Sequence, residues 1–271
     1  MTTIFTIPKP FEGRMAVIQH NAIQSWLRVM DCEVLLVGNE TGVGEYASKH
    51  GLGHIPSVRC TENGTPLIDD VWQKAREAAA GDLLAYLNCD IMFTTSLTGV
   101  AKKIPFDSYL GICRRWDVEM DGEWDFSEGW QQRLEDYARR NGNLRHGRAV
   151  ECHFFPKHTG FGEMLPFAVG RNRYDNWIVL RALELGIPVI DMTPIFPVVH
   201  QNHERHVPAL SDEAYRAEIR TNHQLAGGFK RLATSHDATH TFGAEGLKPN
   251  GTSVAARFYR SFRKLCQVLD V

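Results

Sequence analysis

Four apolar runs in this chain end abruptly in residues able to hold a metal, a phosphate or a proton. They are followed by Pro8-Lys9-Pro10, Asn39-Glu40, Asn88-Cys89-Asp90 and His200-Gln201-Asn202-His203. Open sheets built from strand-helix-strand units gather ligands outside the carboxyl ends of their strands, so chemistry is expected at these positions. Asp90 follows the fully apolar run 83–87 on a short turn, which gives its carboxylate a rigid support. One or two such carboxylates suffice for a divalent cation whose other positions are filled by phosphates and water. A strand ending in Asn or Asp is equally an ordinary turn. The imidazoles of His200 and His203 are nitrogen ligands that Mn2+ accepts more readily than Mg2+ does. His206 adds a third imidazole, but no cysteine lies near it to complete a zinc cluster.

A second group lies at Arg171, Arg173 and Asp175. Guanidinium forks match phosphate and carboxylate oxygens, and a carboxylate opening a helix either caps it or serves as a general base.

The elements that must position these residues are legible in the first hundred positions, where short β-branched runs alternate with helical patterns. That alternation predicts an α/β domain with a mainly parallel sheet flanked by helices. Strands are expected over 4–7, 34–37 and 83–87, with a helix over 15–29. A helix over 65–81 carries signals at both ends: Thr65 to cap, Pro66 in the first position, Asp69 and Asp70 at the positive end, and Gly81 to close. The pattern turns irregular from about residue 105, and 137–148 reads as exposed. A second ordered block starts near Val150, with a helix over 175–186 and strands over 187–190 and 195–199, so that His200 directly follows a strand. Residues 234–253 have a loop-like composition. Residues 254–269 pattern as a basic, Phe-bearing amphipathic helix suited to docking on its own domain, on a partner or on an anionic membrane surface.

Length and composition frame one domain over 1–233, with a first half to 104 and a second from 105, and a tail over 234–271. Thirty basic against 32 acidic residues give a net charge of -2, which excludes a nucleic-acid footprint. Six cysteines without CxxC pairs read as reduced, buried thiols of a cytoplasmic protein. The opening MTTIFTIPKPF does not read as a secretory signal, and no window approaches the roughly 18 apolar residues of a membrane span.

The run Ala80-Gly-Asp-Leu-Leu-Ala-Tyr-Leu-Asn-Cys-Asp-Ile91 resembles the metal-binding segment of GT-A fold glycosyltransferases, whose motif is Asp-x-Asp; here Asn88 stands in the first position. The resemblance extends on both sides and is closest to small glycosyltransferase-like proteins related to the inverting family 2. It implies sugar transfer from a nucleotide-diphosphate donor to a hydroxyl on a glycan, glycolipid or other acceptor, assisted by Mn2+ or Mg2+, in polysaccharide assembly at the inner membrane face. Under it, Thr6, Ile7 and Pro8 form the opening nucleotide-binding loop. Glu40 lies near base or ribose, Gly64 and Thr65 approach the nucleotide, and Asn88 and Asp90 carry the metal motif. Asp175 becomes the general base, Arg171 a grip on the diphosphate, and His200 the imidazole returned to the metal in preference to His203. Arg115, Trp116 and Asp117 border the acceptor pocket, where Trp can stack on the apolar faces of sugar rings. Two alternatives stand beside this. A sugar nucleotidyltransferase is disfavoured because Pro-Lys-Pro-Phe replaces a Gly-rich phosphate loop, and a non-catalytic binding module is favoured by Asn88.

Overall fold

A strand covered on both faces by helices has no side chain that can afford to be polar, and Leu-Leu-Ala-Tyr meets that condition. In the computed structural model, which describes residues 1–203, 211–228 and 232–250, it forms β4 (Leu83–Tyr86) within a large sheet. Before it come β1 (Thr2–Thr6), α1 (Gly13–Val29), β2 (Cys32–Val37), α2 (Val43–His50), β3 (Gly53–Ile55) and α3 (Ile68–Ala78). After it come β5 (Ile91–Phe93), α4 (Leu97–Ala101), β6 (Leu110–Val118), α5 (Trp130–Asn141), β7 (Asn143–Leu144) and β8 (Val150–Pro156). The chain continues through α6 (Tyr174–Glu184), β9 (Val189–Asp191), β10 (Val198–Gln201), α7 (Asp212–Leu225), β11 (His240–Gly243) and β12 (Gly246–Pro249).

The main sheet runs β12-β11-β9-β6-β8-β4-β1-β2-β3, and five of its eight joints are parallel. The expected α/β class holds, with antiparallel β8 between β4 and β6 making the sheet mixed. One apolar layer gathers Trp26, Phe93, Phe154 and Phe196; the other gathers Phe5, Trp72, Phe155, Phe167 and Ile178.

Two arrangements bear directly on Asp90. Trp26 of α1 is fully buried and its Nε1 donates to the Ile91 carbonyl at 2.8 Å, while Phe93 N donates to Ser25 Oγ at 3.3 Å. Helix α1 thereby holds β5 and the turn just before it. Strand β10 pairs antiparallel with β5 and parallel with β6, placing His200 opposite both Ile91 and Asp117.

The sequence expectations need four corrections. The helix expected from 65 begins at Ile68, because the backbone of Pro66 and Leu67 is engaged in bridges to Cys60 and Ala168. Gly81 is required by close approach: a Cβ there would lie 2.6 Å from the Met1 carbonyl oxygen. The irregular stretch after 105 contains nine-residue β6 and, beyond it, α5, whose exposed face accounts for the polar reading of residues 137–141. The loop expected from 234 contains a 3-10 turn (Ser235–Asp237) and a β11–β12 hairpin, with β11 pairing parallel to β9, so the sheet continues past residue 233. The helix expected over 254–269 lies outside the described residues. Among the described cysteines none is disulfide-bonded, and Cys89, Cys113 and Cys152 are buried, but Cys60 is exposed.

Replacing Trp26 by Phe keeps the ring and strips the Ile91 carbonyl of its indole donor. The expected loss is about 1–3 kcal/mol of stability in urea denaturation; an unchanged midpoint would show that this bond does not hold the turn.

Candidate active site

Asp90 is buried at 9% exposure in the turn after β4. Its Oδ2 accepts from His203 Nε2 at 3.0 Å and lies 3.7 Å from His200 Nε2. Its Oδ1 is buried with no hydrogen-bond partner among the described residues. One ligand atom from each of Asp90, His200 and His203 falls within a set spanning no more than 4.8 Å. A buried carboxylate with one oxygen against two imidazoles and the other left without a donor fits a divalent cation with mixed oxygen and nitrogen ligands. The sequence preferred His200 to His203; the geometry brings both, with His203 nearer the carboxylate. His200 belongs to β10 itself rather than following it.

Behind His200 runs a chain of charges. His200 Nδ1 lies 3.2 Å from Asp117 Oδ1, Asp117 accepts from Arg115 Nε at 2.8 Å, and Arg115 Nη1 reaches Glu151 Oε1 at 2.5 Å. A carboxylate behind a ligating imidazole fixes its ring orientation and basicity. Burial, the largest influence on Asp90, opposes its ionisation. The hydrogen bond from His203 and the charges of His200, His203 and Lys9 outweigh burial and hold the carboxyl below the usual range. Burial pushes Glu151 up to about 7, against the pull of Arg115. Asp175 is raised, again chiefly by burial, and burial lowers His153 to about 4.

Two adjoining cavities flank this cluster. The larger, about 390 Å³, is bordered by Ile7, Pro8, Glu40, Gly64, Thr65, Asn88, Asp90 and Arg171, so eight of the nine expected donor-site residues converge there. Thr6 is the exception: it lies beneath the loop, wholly buried. The smaller, about 140 Å³, shares Asn88, Gly170 and Arg171 with the first and adds Glu151, His153 and Asp175. Asp175 sits in the first turn of α6, after Arg173 at φ 105, a left-handed conformation unfavourable for arginine.

Three sequence assignments change on this geometry. Arg115 and Asp117 lie behind His200 and border neither of these two cavities. Trp116, one residue between them, projects to the other face of β6 by strand alternation and lines a separate cavity with Arg114 and Arg139. Arg171 does not offer a free fork: its Nη2 lies 2.7 Å from Glu218 Oε2, with both side chains 6% exposed, and its guanidinium packs over Tyr215 at 4.6 Å. Glu218 also accepts from Thr61 at 2.6 Å and Thr65 at 3.0 Å.

Glu151, Tyr215 and Glu218 were not singled out from sequence, and Lys9 was marked there only as part of the Pro8-Lys9-Pro10 turn. Lys9 borders the larger cavity, where burial lowers its pKa against the charge of Asp90. Helix α7 carried a readable start, Ser211 followed by Asp212 and Glu213, but nothing in its pattern says which face meets a ligand.

No protein-family model matches the chain, and no curated protein matches it in sequence. Solved structures do. S. aureus TarS 1-349 in complex with UDP-GlcNAc aligns at a TM-score of 0.50 and 14% identity over 82% of this chain and 65% of that one. GalNAc-T7 with UDP, GalNAc and Mn2+ aligns at 0.53 and 13% identity over 81% of this chain and 48% of that one. The chain therefore has the GT-A glycosyltransferase fold, and spans less than two thirds of the length of either neighbour.

Glu218→Gln would leave the buried Arg171 guanidinium without its counter-charge. A loss of about 3–5 kcal/mol in denaturant unfolding is expected; a change near zero would show that solvent reaches the pair.

Proposed function

We propose that this protein transfers a sugar from a nucleoside-diphosphate donor to a hydroxyl acceptor, with a divalent cation held by Asp90, His200 and His203. The observation that carries the reading is the buried Asp90 carboxylate, with Oδ2 against two imidazoles and Oδ1 unpartnered among the described residues, at the edge of a cavity of about 390 Å³. The cation, Mn2+ or Mg2+, would act as a Lewis acid toward the departing diphosphate. The imidazole pair favours Mn2+.

The protein's own groups divide the remaining work. The 6–8 loop, Glu40 and the 64–65 turn hold the nucleotide, and Lys9 adds positive charge beside it. Asn88, shared by both cavities, stands between nucleotide and sugar. Asp175 in the smaller cavity accepts the proton of the attacking hydroxyl, which makes the transfer a single in-line displacement with inversion. Its raised pKa suits that task, since a carboxylate disfavoured by burial binds a proton more strongly. The cation cluster is complete without Asn88, so the missing first acid of the motif removes no ligand and the non-catalytic reading loses its main support. The acceptor class we propose is a glycan or glycolipid, and the setting cytoplasmic polysaccharide assembly. Among the described residues no helix is long and apolar enough to cross a membrane.

UDP, GDP, CDP, dTDP and CMP, each with Mn2+, Mg2+ or EDTA, should sort in a thermal-shift screen. One diphosphate should stabilise the protein, by about 2.7 kcal/mol at a hundred times its Kd, and lose the effect in EDTA and in Asp90→Ala. A folded sample indifferent to all five would sink the transferase reading.

Asp175→Asn should keep nucleotide binding and lower kcat by about a hundredfold or more. In the unaltered enzyme, activity should rise with pH as Asp175 ionises, with the acid limb of kcat/KM above the ordinary aspartate range. Undiminished transfer by the Asn variant would remove Asp175 as the base.

A further inference from the structure

The smaller cavity carries an acidic residue that the reaction as described does not use. Glu151 lines it beside Asp175, with its side chain 13% exposed and Oε2 3.4 Å from Asn88 Nδ2. Its placement is built into the backbone. Between Gly111 and Cys113 the β6–β8 register shifts, and the next residue on β8, Cys152, adopts φ 53, which is uncommon outside glycine. Such a bulge re-aims the side chains around it.

The charge of this cavity is one-sided. Glu151 and Asp175 supply two carboxyl groups, Glu151 carrying its full charge above the value of about 7 to which burial pushes it, and His153, lowered to about 4 by burial, is neutral there. Arg171 at the rim is closed by Glu218, and Arg115, which touches Glu151, is shared with Asp117. Among the described residues lining the cavity, no cation is left to receive an added carboxylate. A carboxylate oxygen can, however, accept from a sugar hydroxyl.

We infer that Glu151 is a specificity-determining residue of the transfer cavity: it accepts a hydrogen bond from a hydroxyl of the transferred sugar and turns away sugars that carry a carboxylate, so the donor bears a neutral hexose and not a uronic acid. This rests on the transferase reading above. Burying a further negative charge beside Glu151 and Asp175 meets like-charge repulsion in a low-dielectric site, whereas a hydroxymethyl group at the same carbon does not.

The test compares a donor pair identical except at C6, UDP-glucose and UDP-glucuronate, or GDP-mannose and GDP-mannuronate if GDP is the nucleotide bound. Kd is measured by calorimetry with Mn2+ present at pH 8, above the value of about 7 to which burial pushes Glu151. The unaltered protein should prefer the neutral donor by about tenfold or more. Glu151→Gln, close in shape and without charge, should bring the ratio toward unity; Glu151→Asp, which keeps the charge, should retain the preference. Taking the ratio within each protein cancels any effect common to both donors, including a partial loss of fold. Equal affinity in the unaltered protein, or an unchanged ratio in Glu151→Gln, overturns the assignment. Failure of all five nucleotides of the thermal-shift screen to bind would instead overturn the transferase reading.

Discussion

Everything at this site follows from burying the Asp90 carboxylate at the end of an apolar strand. A lone carboxylate moved out of water costs several kcal/mol and would take up a proton unless other groups favour its charge. The fold answers with a third strand. Strand β10 threads between β5 and β6, and its register sets His200 against Ile91 on one side and Asp117 on the other. Two residues beyond the end of β10, His203 donates directly to Asp90. The imidazoles satisfy Oδ2 and leave Oδ1 without a partner among the described residues, so the compensation is incomplete.

A second buried pair shapes the larger cavity from its far side. Arg171 and Glu218 are sealed together, and Glu218 gathers Thr61, Asn63 and Thr65 as well, so one carboxylate fastens α7 to the loop ahead of α3. Buried ion pairs contribute little net stability against an apolar alternative of the same shape. Their value lies in direction, because removing either partner strands the other. Here the direction is that Tyr215 and the 63–65 turn share one cavity wall.

The sequence revealed Asp90 because the transition from Leu83-Leu-Ala-Tyr-Leu87 to Asn88-Cys-Asp90 compresses strand, end and carboxylate into eight consecutive residues. It revealed Asp175 because helix starts have local signals. It favoured His200 over His203 on adjacency to a strand end, a one-dimensional criterion, whereas the contact is decided by how β10 docks on β5 and by the two residues of chain beyond it. Strand β6 escaped notice for a related reason. Arg115 and Asp117 face the charged site, so the alternation of polar and apolar residues that marks a half-buried strand is inverted at its carboxyl end. Trp116 was expected at the acceptor pocket because Trp can stack on sugar rings, and strand alternation places it on the face opposite Arg115 and Asp117.

The residues hardest to read were those whose roles depend on backbone irregularity. Strand pairing alone gives β8 a period of two, under which consecutive residues alternate between faces. A register shift opposite Cys113 and a left-handed Cys152 break that period beside the cavity. Likewise Arg173, at φ 105, precedes the turn that carries Asp175. Neither residue is glycine, so nothing in composition marks the departures, and each costs of order 1–3 kcal/mol that surrounding packing must offset. Both irregularities flank carboxylates of the same small cavity, Glu151 and Asp175. Backbone strain clusters where side chains must be aimed against the ordinary geometry of their element. By that argument Glu151 belongs to the working part of the site, together with Asp175, and not to its scaffold.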